Sequence, residues 1–394
     1  MIPYYMYSNL PKLPEHKVWA EIDTEALLYN YKVLCAFSPH VRHICAVKAD
    51  AYGHVAELCV AVLLRAGCDF FAVACIEEAL AVRDVCDREV KYADILILGY
   101  TCCSQAAILS ENNIIQTVVS EDYARALQAA AVEHDCSVKV HVALDTGMNR
   151  LGLCARNQAE CAEAVDAIGR IMEFESIRIE GMFTHFARAD EEYEDTIESD
   201  SHTKQQFDRF DAVRKGLSAR GIRLFCHACN SAASVRFPQF AMDGVRFGIM
   251  LYGVSPSEHV DHITRPVMSL HTLVTHIHAL LPGETVGYGG SFVAEEERLI
   301  ATLPIGYADG FSRAYSGFCV TVQTDLGNFK APVVGRVCMD QCMIDVTGLP
   351  VRAEDRVTVF GIDPLDLVNL AKMADTIEYE VLCRISARVP RIEK

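Results

Sequence analysis

Residues 43–75, HICAVKADAYGHVAELCVAVLLRAGCDFFAVAC, contain one complete strand–helix–strand pattern. The runs HICAVK (43–48) and FFAVAC (70–75) are short and apolar, as in strands that are buried on both faces. Between them, HVAELCVAVLLRAG (54–67) repeats its apolar residues at helical spacing. Strands that alternate with helices in this way indicate an α/β protein with a parallel sheet.

The same alternation continues to about residue 247. The predicted strands are 43–48, 70–75, 95–99, 114–120, 138–145, 179–186, 224–229 and 241–247, and the predicted helices are 54–67, 77–87, 120–134, 157–174 and 203–221. Eight strands with intervening helices fit a closed (β/α)8 barrel, or TIM barrel, better than an open sheet, because the barrel closes at eight. The sequence therefore predicts an α/β fold with this barrel over residues 15–255.

After Tyr252 and Gly253 the pattern changes to consecutive strands, which predicts a separate, mostly-β C-terminal domain over residues 256–394. Residues 1–14 are expected to pack on it. The predicted strands lie within 270–280, 298–304, 318–324, 333–346 and 356–361, with one helix at 365–374. We interpret His271, His276 and His278 as exposed strand positions rather than a metal cluster, and the acidic stretch 189–200 as a solvated loop.

The composition excludes several classes of partner. Apolar residues make up 51% of the 394 residues, and 36 basic against 53 acidic residues leave a net charge of −17, which argues against nucleic-acid or anionic-membrane binding. The N-terminus resembles no signal peptide, and no apolar run reaches the roughly 18 residues of a membrane span. We therefore expect a soluble, cytoplasmic protein. The 17 cysteines are scattered, and Cys226-His-Ala-Cys229 is a lone CxxC, so we expect reduced thiols and no structural zinc.

Polar residues follow several of the predicted barrel strands. They are Lys48 after strand one, Asp145 to Arg150 after strand five, His185 after strand six, Asn230 and Ser231 after strand seven, and Arg246 near the end of strand eight. Lys48 alone could be a lysine that extends to solvent from a strand end, or a lysine for covalent chemistry with a carbonyl. Because a barrel gathers its strand ends around one rim, we predict that these residues converge on a pocket.

The residue types indicate what this pocket holds. Ser231 at a predicted helix start and the turn at Gly248 and Ile249 offer backbone N–H groups to a phosphate. A lysine that can bond a carbonyl and an arginine on a neighbouring strand complete the set. Together they suit pyridoxal 5′-phosphate (PLP).

Seven stretches resemble a known family, the PLP-dependent alanine racemases of fold type III. They are AVKADAYGH (46–54), LDTGMNRLG (144–152), GMFTHFARAD (181–190), CNSAASVRFP (229–238), VRFGIMLYG (245–253), PIGYADG (304–310) and VGRVCMDQ (334–341). The resemblance extends from Trp19 to Arg391. It implies an amino-acid substrate and a homodimer whose active sites are shared between subunits.

The resemblance also implies a role for each site residue. Lys48 would bond PLP and act as one base, and Tyr288 of the partner subunit would be the opposite base, backed by His185 and Arg246. The cofactor-binding residues would be Lys48, Tyr52, Asn230, Ser231, Arg246, Gly248 and Ile249, with Arg246 donating to the pyridine nitrogen. The substrate-binding residues would be Arg150, Tyr307, Met339, Asp340 and Ala387.

These roles are consistent with racemisation. The reaction removes the α-proton on one face of the substrate and returns a proton on the other, so it needs two bases. We expect a cationic Arg246–His185 neighbourhood to lower the pKa of Tyr288. Arginine cannot readily protonate the pyridine nitrogen, whereas a PLP decarboxylase on this barrel would be expected to carry an acid there. The other alternative, a non-catalytic PLP-binding protein, generally lacks the C-terminal domain.

The sequence departs from the family at three positions. Val55 replaces a glycine, and we expect little effect because valine can occupy the first turn of a helix. Ala143 replaces a carbamylated lysine that orients the neighbouring arginine, so a bound anion or a nearby acid would have to position Arg150. Ala387 replaces a tyrosine that narrows the substrate pocket. We predict an alanine racemase with relaxed specificity, the alternative being a serine or broad-specificity racemase.

Overall fold

The structure, a computed structural model, describes residues 16–191, 201–260 and 262–394. The chain divides into two units, which we call the β/α unit (described residues of 25–51 and 55–265) and the β-rich unit (described residues of 16–24, 52–54 and 266–394). The first strand, β1 (Val18–Ile22), lies in the β-rich unit. The expected packing of residues 1–14 and most of the acidic stretch 189–200 lie outside the described residues.

Eight parallel strands form a closed barrel in the β/α unit. They are β2 (Arg42–Ala46), β3 (Phe70–Val73), β4 (Asp94–Ile97), β5 (Ile115–Val118), β6 (Val138–Asp145), β8 (Ile177–Phe183), β9 (Phe225–His227) and β10 (Gly244–Phe247). A two-residue strand, β7 (Leu153–Cys154), pairs beside β6. The pairing runs in chain order around the ring, and β10 closes it against β2. The predicted barrel and the predicted β-rich domain are both confirmed.

Nine helices belong to or begin in the β/α unit among the described residues. They are α1 (Thr24–Phe37), α2 (Lys48–Gly53), α3 (Ala56–Arg65), α4 (Ile76–Arg88), α5 (Ala106–Glu111), α6 (Glu121–Glu133), α7 (Gln158–Met172), α8 (His202–Ala219) and α9 (Ser231–Arg236). Side-chain caps fix four of their starts, because Ser120, Asn157, Ser201 and Asn230 each accept a backbone N–H of the first turn. The sequence did not indicate α1 or α5.

The chain leaves the first barrel strand through a left-handed turn. We expected Lys48 to end this strand, but β2 ends at Ala46 and Lys48 begins α2. Residues 49–52 all have φ between 52° and 55°, and Gly53 has φ 85°. Each non-glycine residue in this region costs roughly 1–2 kcal/mol, so other contacts must hold the turn.

We expected Val55 to lie in the first turn of a helix, but it does not. It precedes α3 with φ 66° and ψ 94°, a conformation that is strained for a β-branched residue. The expectation of little effect therefore rested on the wrong backbone conformation. A glycine, as the family usually has, would adopt this conformation freely.

The β-rich unit contains one large sheet. Its strands, besides β1, are β11 (Met268–Leu273), β12 (His276–Leu280), β15 (Arg298–Leu303), β16 (Cys319–Thr324), β17 (Gly327–Val334), β18 (Cys342–Asp345), β19 (Arg356–Phe360) and β20 (Arg391–Glu393), and β13 (Thr285–Val286) and β14 (Phe292–Val293) form a separate ladder. The strand order is β12-β15-β18-β17-β16-β19-β11-β1-β20. Two helices, α10 (Pro364–Met373) and α11 (Glu378–Cys383), complete it.

One of the three histidines in this sheet contradicts the expectation. His276 and His278 are exposed on β12, an edge strand, but His271 is only 2% exposed. β11 lies between β1 and β19 in the sheet. His271 is buried there, with Nδ1 3.0 Å from Oγ1 of Thr358 and Nε2 2.7 Å from Oγ of Ser269.

Candidate active site

A carboxylate from α4 holds the left-handed turn that begins at Lys48. Glu78 accepts the backbone N–H of Ala49, the next residue after Lys48, at 2.7 Å, and that of Ala74 at 2.7 Å. The two oxygens of Glu78 therefore tie the left-handed turn to the end of the neighbouring strand β3. This contact offsets part of the strain in the turn. The sequence analysis did not identify Glu78, although an acid in the first turn of a helix after a barrel strand is a usable signal.

The start of α9 brings together the predicted phosphate-binding residues. Asn230 accepts the N–H of Ala233 at 3.0 Å and so caps the helix. Oγ of Ser231 accepts the N–H of Gly248 at 2.6 Å, which places the turn after β10 beside the helix start. Ile249 begins a short 3-10 helix in that turn. These four residues therefore lie close together, and their binding of a phosphate stays a prediction.

Arg246 lies on β10 inside the barrel with neutral groups around it. Its Nη1 donates to Nδ1 of His227 at 2.8 Å, and its Nη2 lies 3.2 Å from Nδ1 of His185. The remaining acceptors are the carbonyl oxygens of Thr184, His227 and Ala228. Burial lowers the pKa of Arg246 to about 10, so it remains cationic near neutral pH, and no carboxylate pairs with it among the described residues.

His185 is neutral, not cationic. Burial lowers its pKa well below the ordinary value, and the positive charges of Arg246, Arg150 and Lys48 lower it further. The expected cationic Arg246–His185 neighbourhood is therefore wrong in its histidine half, since Arg246 carries the charge. Lys48, Arg150 and Arg246 are therefore near enough to His185 to influence its pKa.

Arg150 is exposed at the end of the loop that follows β6. Asp145, the last residue of β6, accepts the N–H groups of Gly147 and Asn149 at 3.1 and 2.9 Å, and so shapes the loop instead of pairing with Arg150. Ala143 is buried. Among the described residues no acid pairs with Arg150, so the acid alternative finds no support, and the bound anion stays a prediction.

The β-rich unit exposes the residues that the resemblance assigns to the substrate side. Tyr288 is 72% exposed, and Tyr307 and Met339 are about half exposed. Tyr288, Met339 and Asp340 line one cavity of about 670 Å³. The backbone N–H of Tyr307 donates to the carbonyl of Cys338 at 3.1 Å, so Tyr307 lies beside that segment.

An arginine that the sequence analysis missed organises this face. Arg388 donates to Asp309 at 2.7 Å and to Asp340 at 2.6 Å. Asp309 is 1% exposed. Arg388 therefore connects the Met339–Asp340 segment to the loop that carries Tyr307, and its neighbour Ala387 is exposed.

Tyr52 is buried and contacts Tyr379, with ring centroids 6.1 Å apart. Burial raises the pKa of Tyr52, so its hydroxyl is a neutral donor at physiological pH. That state suits a hydroxyl expected to bind a phosphate.

The side chains of the β/α unit suit PLP in two respects. Arg246 uses Nη1 and Nη2 for its protein contacts, and within the described residues its Nε–H donates no hydrogen bond, so this donor fits an unprotonated pyridine nitrogen. Ser231 is buried and accepts through Oγ, so its hydroxyl proton can be donated to a phosphate. Among the described residues, no group of three or more His, Cys, Asp or Glu side chains could hold a metal ion.

A barrel with a lysine after its first strand and an acid-free arginine beneath the same rim defines a class, the barrel enzymes that bind PLP at the carboxyl ends of their strands. Two family models match the chain, the alanine racemase N-terminal domain over residues 22–256 and the alanine racemase C-terminal domain over residues 267–393. The chain therefore belongs to the alanine racemase family, whose members are PLP-dependent isomerases. Within the part of the chain that the structure describes, none of the helices combines the length and the hydrophobicity that a membrane span requires.

Individual relatives agree with the family. "Alanine racemase 1" of Clostridium acetobutylicum is 40% identical over 95% of both chains, and alanine racemase of Methanococcus maripaludis is 39% identical over 96% of this chain and 98% of its own. The solved alanine racemase of Clostridium difficile superimposes with a TM-score of 0.87 at 34% identity, covering 96% of each chain. That of Bacillus anthracis with bound L-Ala-P gives 0.86 at 32% identity, covering 98% of this chain and 96% of that one.

Proposed function

We propose that the protein interconverts L- and D-alanine as a PLP-dependent homodimer, with Lys48 and Tyr288 of the partner subunit as the two bases. The observation that carries the proposal is the environment of Arg246, a buried cation that touches only neutral acceptors. An arginine leaves the pyridine nitrogen unprotonated, which favours proton exchange over reactions that need a stronger electron sink.

PLP, when bound, stabilises the negative charge left on the α-carbon of an amino acid. The protein's part is to move protons. For the L-to-D direction one base removes the α-proton on one face and the other delivers a proton on the opposite face, so the two bases exchange protonation states with each turnover. Lys48, held by the contact of Glu78 with Ala49, would serve one face.

Tyr288 would serve the other face from the partner subunit. Its large exposure in a single chain supports this, because a catalytic tyrosine needs to be covered by protein. His185 accepts from Arg246 at Nδ1 and is neutral, so its proton is on Nε2. That N–H is a donor that could stabilise a tyrosinate. Arg150 and the Met339–Asp340 segment would contact the substrate carboxylate.

The serine alternative is not favoured. The relatives and structural neighbours of this chain are named alanine racemases. Ala387 removes a tyrosine from the pocket wall, but no observation shows a group that would select a serine hydroxyl.

The test is racemisation of L-alanine and L-serine, measured side by side with purified protein and saturating PLP. Turnover of alanine well above serine is expected, and absence of alanine turnover would overturn the proposal. A mixing experiment tests the shared site. Lys48→Ala and Tyr288→Phe should each be inactive, and unfolding and refolding them together should restore about a quarter of the wild-type activity, because half of the dimers then carry one intact site. No recovery would refute the sharing of sites between subunits.

A further inference from the structure

Three histidines and Arg246 form one chain of hydrogen bonds inside the barrel. Nδ1 of His141 on β6 lies 3.0 Å from Nε2 of His227 on β9. Nδ1 of His227 lies 2.8 Å from Nη1 of Arg246, and Nη2 of Arg246 lies 3.2 Å from Nδ1 of His185. His141 and His227 are at most 2% exposed, so water does not compete for these contacts.

The hydrogen bonds of this chain can be donated in only one direction. A guanidinium only donates, so Nδ1 of His227 and Nδ1 of His185 must both accept. Burial lowers the pKa of His227 well below its ordinary value and that of His141 to about 3, so both rings are neutral. The single proton of His227 is therefore on Nε2, and it is donated to Nδ1 of His141. The proton of His141 is in turn on its own Nε2.

The backbone of β8 makes room for the His141 ring. A Cβ atom at Gly181 would lie 2.6 Å from Cε1 and Nε2 of that ring. The register between β6 and β8 shifts between Val140 and His141, which places Gly181 opposite His141. Phe70 packs edge-on against the ring at 6.0 Å. The ring is therefore fixed by packing as well as by its hydrogen bond.

We propose that His141 is a positioning residue for the racemase site: by accepting the N–H of His227 it holds Arg246, and through it His185, in the arrangement in which His185 presents Nε2–H to the reacting side. The inference rests on the proposed function. His141 itself touches neither substrate nor cofactor. Its part is to make the proton of His227 unavailable to Nδ1, because a proton on Nδ1 would face the donors of Arg246.

An apolar side chain would fill the same space, as branched apolar residues usually do inside such barrels. It would leave the buried N–H of His227 without an acceptor. The proton of His227 could then move to Nδ1, and Arg246 would have to turn away. A purely structural role for His141 predicts no such rearrangement.

The experiment combines ring ¹⁵N shifts with kinetics in the PLP-loaded full-length protein. Histidine ¹⁵N labelling distinguishes Nδ1–H from Nε2–H rings, and single histidine substitutions assign the signals. The wild type should show His141, His185 and His227 as neutral Nε2–H rings. In His141→Leu, His227 should lose this single state, and kcat should fall by about tenfold or more, with KM for alanine changed less than about twofold, as expected for lost proton-transfer geometry.

His141→Gln is the conservative variant, because its amide oxygen can accept the N–H of His227. It should retain the His227 tautomer and most of kcat. Phe70→Leu is the matched control, since it removes packing from the same ring without removing a hydrogen bond, and it should change neither tautomer. An Nδ1–H ring at His227 or His141 in the wild type would overturn the proposal. So would a His141→Leu protein that keeps both tautomers and kcat.

Folding and function remain separable in this design. If His141→Leu does not fold, the ¹⁵N shifts of the wild type and the kinetics of His141→Gln test the proposal without it. A kcat of His141→Gln as low as that of an inactive enzyme would then contradict the proposal. A wild type that shows the expected tautomers but does not racemise alanine would refute the proposed function. It would also refute a catalytic role for the hydrogen-bond chain, whereas the arrangement of the hydrogen bonds would still be confirmed.

Discussion

The carboxylate of Glu78 accepts the backbone N–H of Ala49 at 2.7 Å, immediately after Lys48. Its other oxygen accepts the N–H of Ala74. Glu78→Gln would turn one acceptor oxygen into an NH₂ group that faces an N–H donor. We expect the free energy of unfolding to fall by about 1–2 kcal/mol, and kcat to fall because the turn that carries Lys48 loosens.

The free energy of unfolding, measured in urea, and kcat for alanine check this prediction, with Glu77→Gln as the control. Glu77 is the exposed neighbour on the same helix turn and makes neither contact. Equal behaviour of the two variants would show that Glu78 does not hold the turn.

A glycine substitution usually destabilises a protein more than an alanine substitution does, and at Val55 we expect the reverse. Its side chain is buried, so both substitutions lose packing. Alanine keeps the strain of φ 66°, whereas glycine relieves it. We expect Val55→Gly to be more stable than Val55→Ala by about 1 kcal/mol.

Val60 is the matched control for this pair, because it is buried in the interior of α3. There alanine should exceed glycine in stability by about 1 kcal/mol. Urea unfolding of the four variants gives both differences, and the same sign at both positions would contradict the strained conformation of Val55.

The buried histidines should make the fold sensitive to acid. Burial lowers the pKa of His141 and His271 to about 3, and for His271 the charge of Arg356 contributes. Unfolding restores an ordinary pKa of about 6.5, so below that pH the unfolded chain binds more protons than the native one. Stability is therefore full above pH 6.5 and is lost as the pH falls towards 3, by about 1.4 kcal/mol per pH unit for each histidine.

His271→Gln tests the size of this effect. Its unfolding free energy between pH 6 and 4 should fall less steeply than that of the wild type, by about 1.4 kcal/mol per pH unit. His276→Gln, which changes an exposed histidine of the next strand along the chain, β12, should leave the slope unchanged. Identical slopes for wild type and His271→Gln would show that His271 is not held neutral.

Arg388 should affect the substrate side of the site. Arg388→Ala removes the only cation paired with the buried Asp309 among the described residues, and frees Asp340. We expect KM for alanine to rise several-fold with a smaller change in kcat, because the Met339–Asp340 segment loses its anchor. Arg384→Ala, which breaks an exposed pair with Glu380 one helix turn away, should change neither parameter. Alanine kinetics of both variants decide, and an unchanged KM in Arg388→Ala would contradict the anchor.

The barrel was predictable because its signal is local. Each strand is an apolar run and most of the long helices repeat their apolar residues at helical spacing, so residues 43–48 and 70–75 were placed to within about two residues without knowledge of the rest. The left-handed turn after Lys48 was not predictable. Its conformation opposes the local preference of four L-residues and depends on Glu78, which comes from another helix.

The positions of Lys48, Ser231 and Arg246 near strand ends were predictable, because a motif or a strand end marks each of them. The surroundings of a residue were not predictable where its partner is distant in sequence. His271 is buried in part by β1, about 250 residues earlier in the chain, and alternation within β11 carries no trace of that strand. His141 and His227 went unrecognised for the same reason, since neither residue's strand shows that the other lies across the barrel.

The charge of Arg246 has a consequence for how the cofactor arrives. The chain as a whole carries −17 and repels a phosphate ester at long range, whereas the barrel holds the charges of Arg150 and Arg246, neither of which pairs with a carboxylate among the described residues. At physiological ionic strength interactions between exposed charges fade beyond about 8 Å. Salt therefore screens the repulsion between an incoming anion and the acidic surface. Once the anion reaches the rim, the nearby arginines attract it at short range. Cofactor capture should therefore slow at low salt, opposite to the behaviour of a protein that steers its anionic ligand with its whole surface.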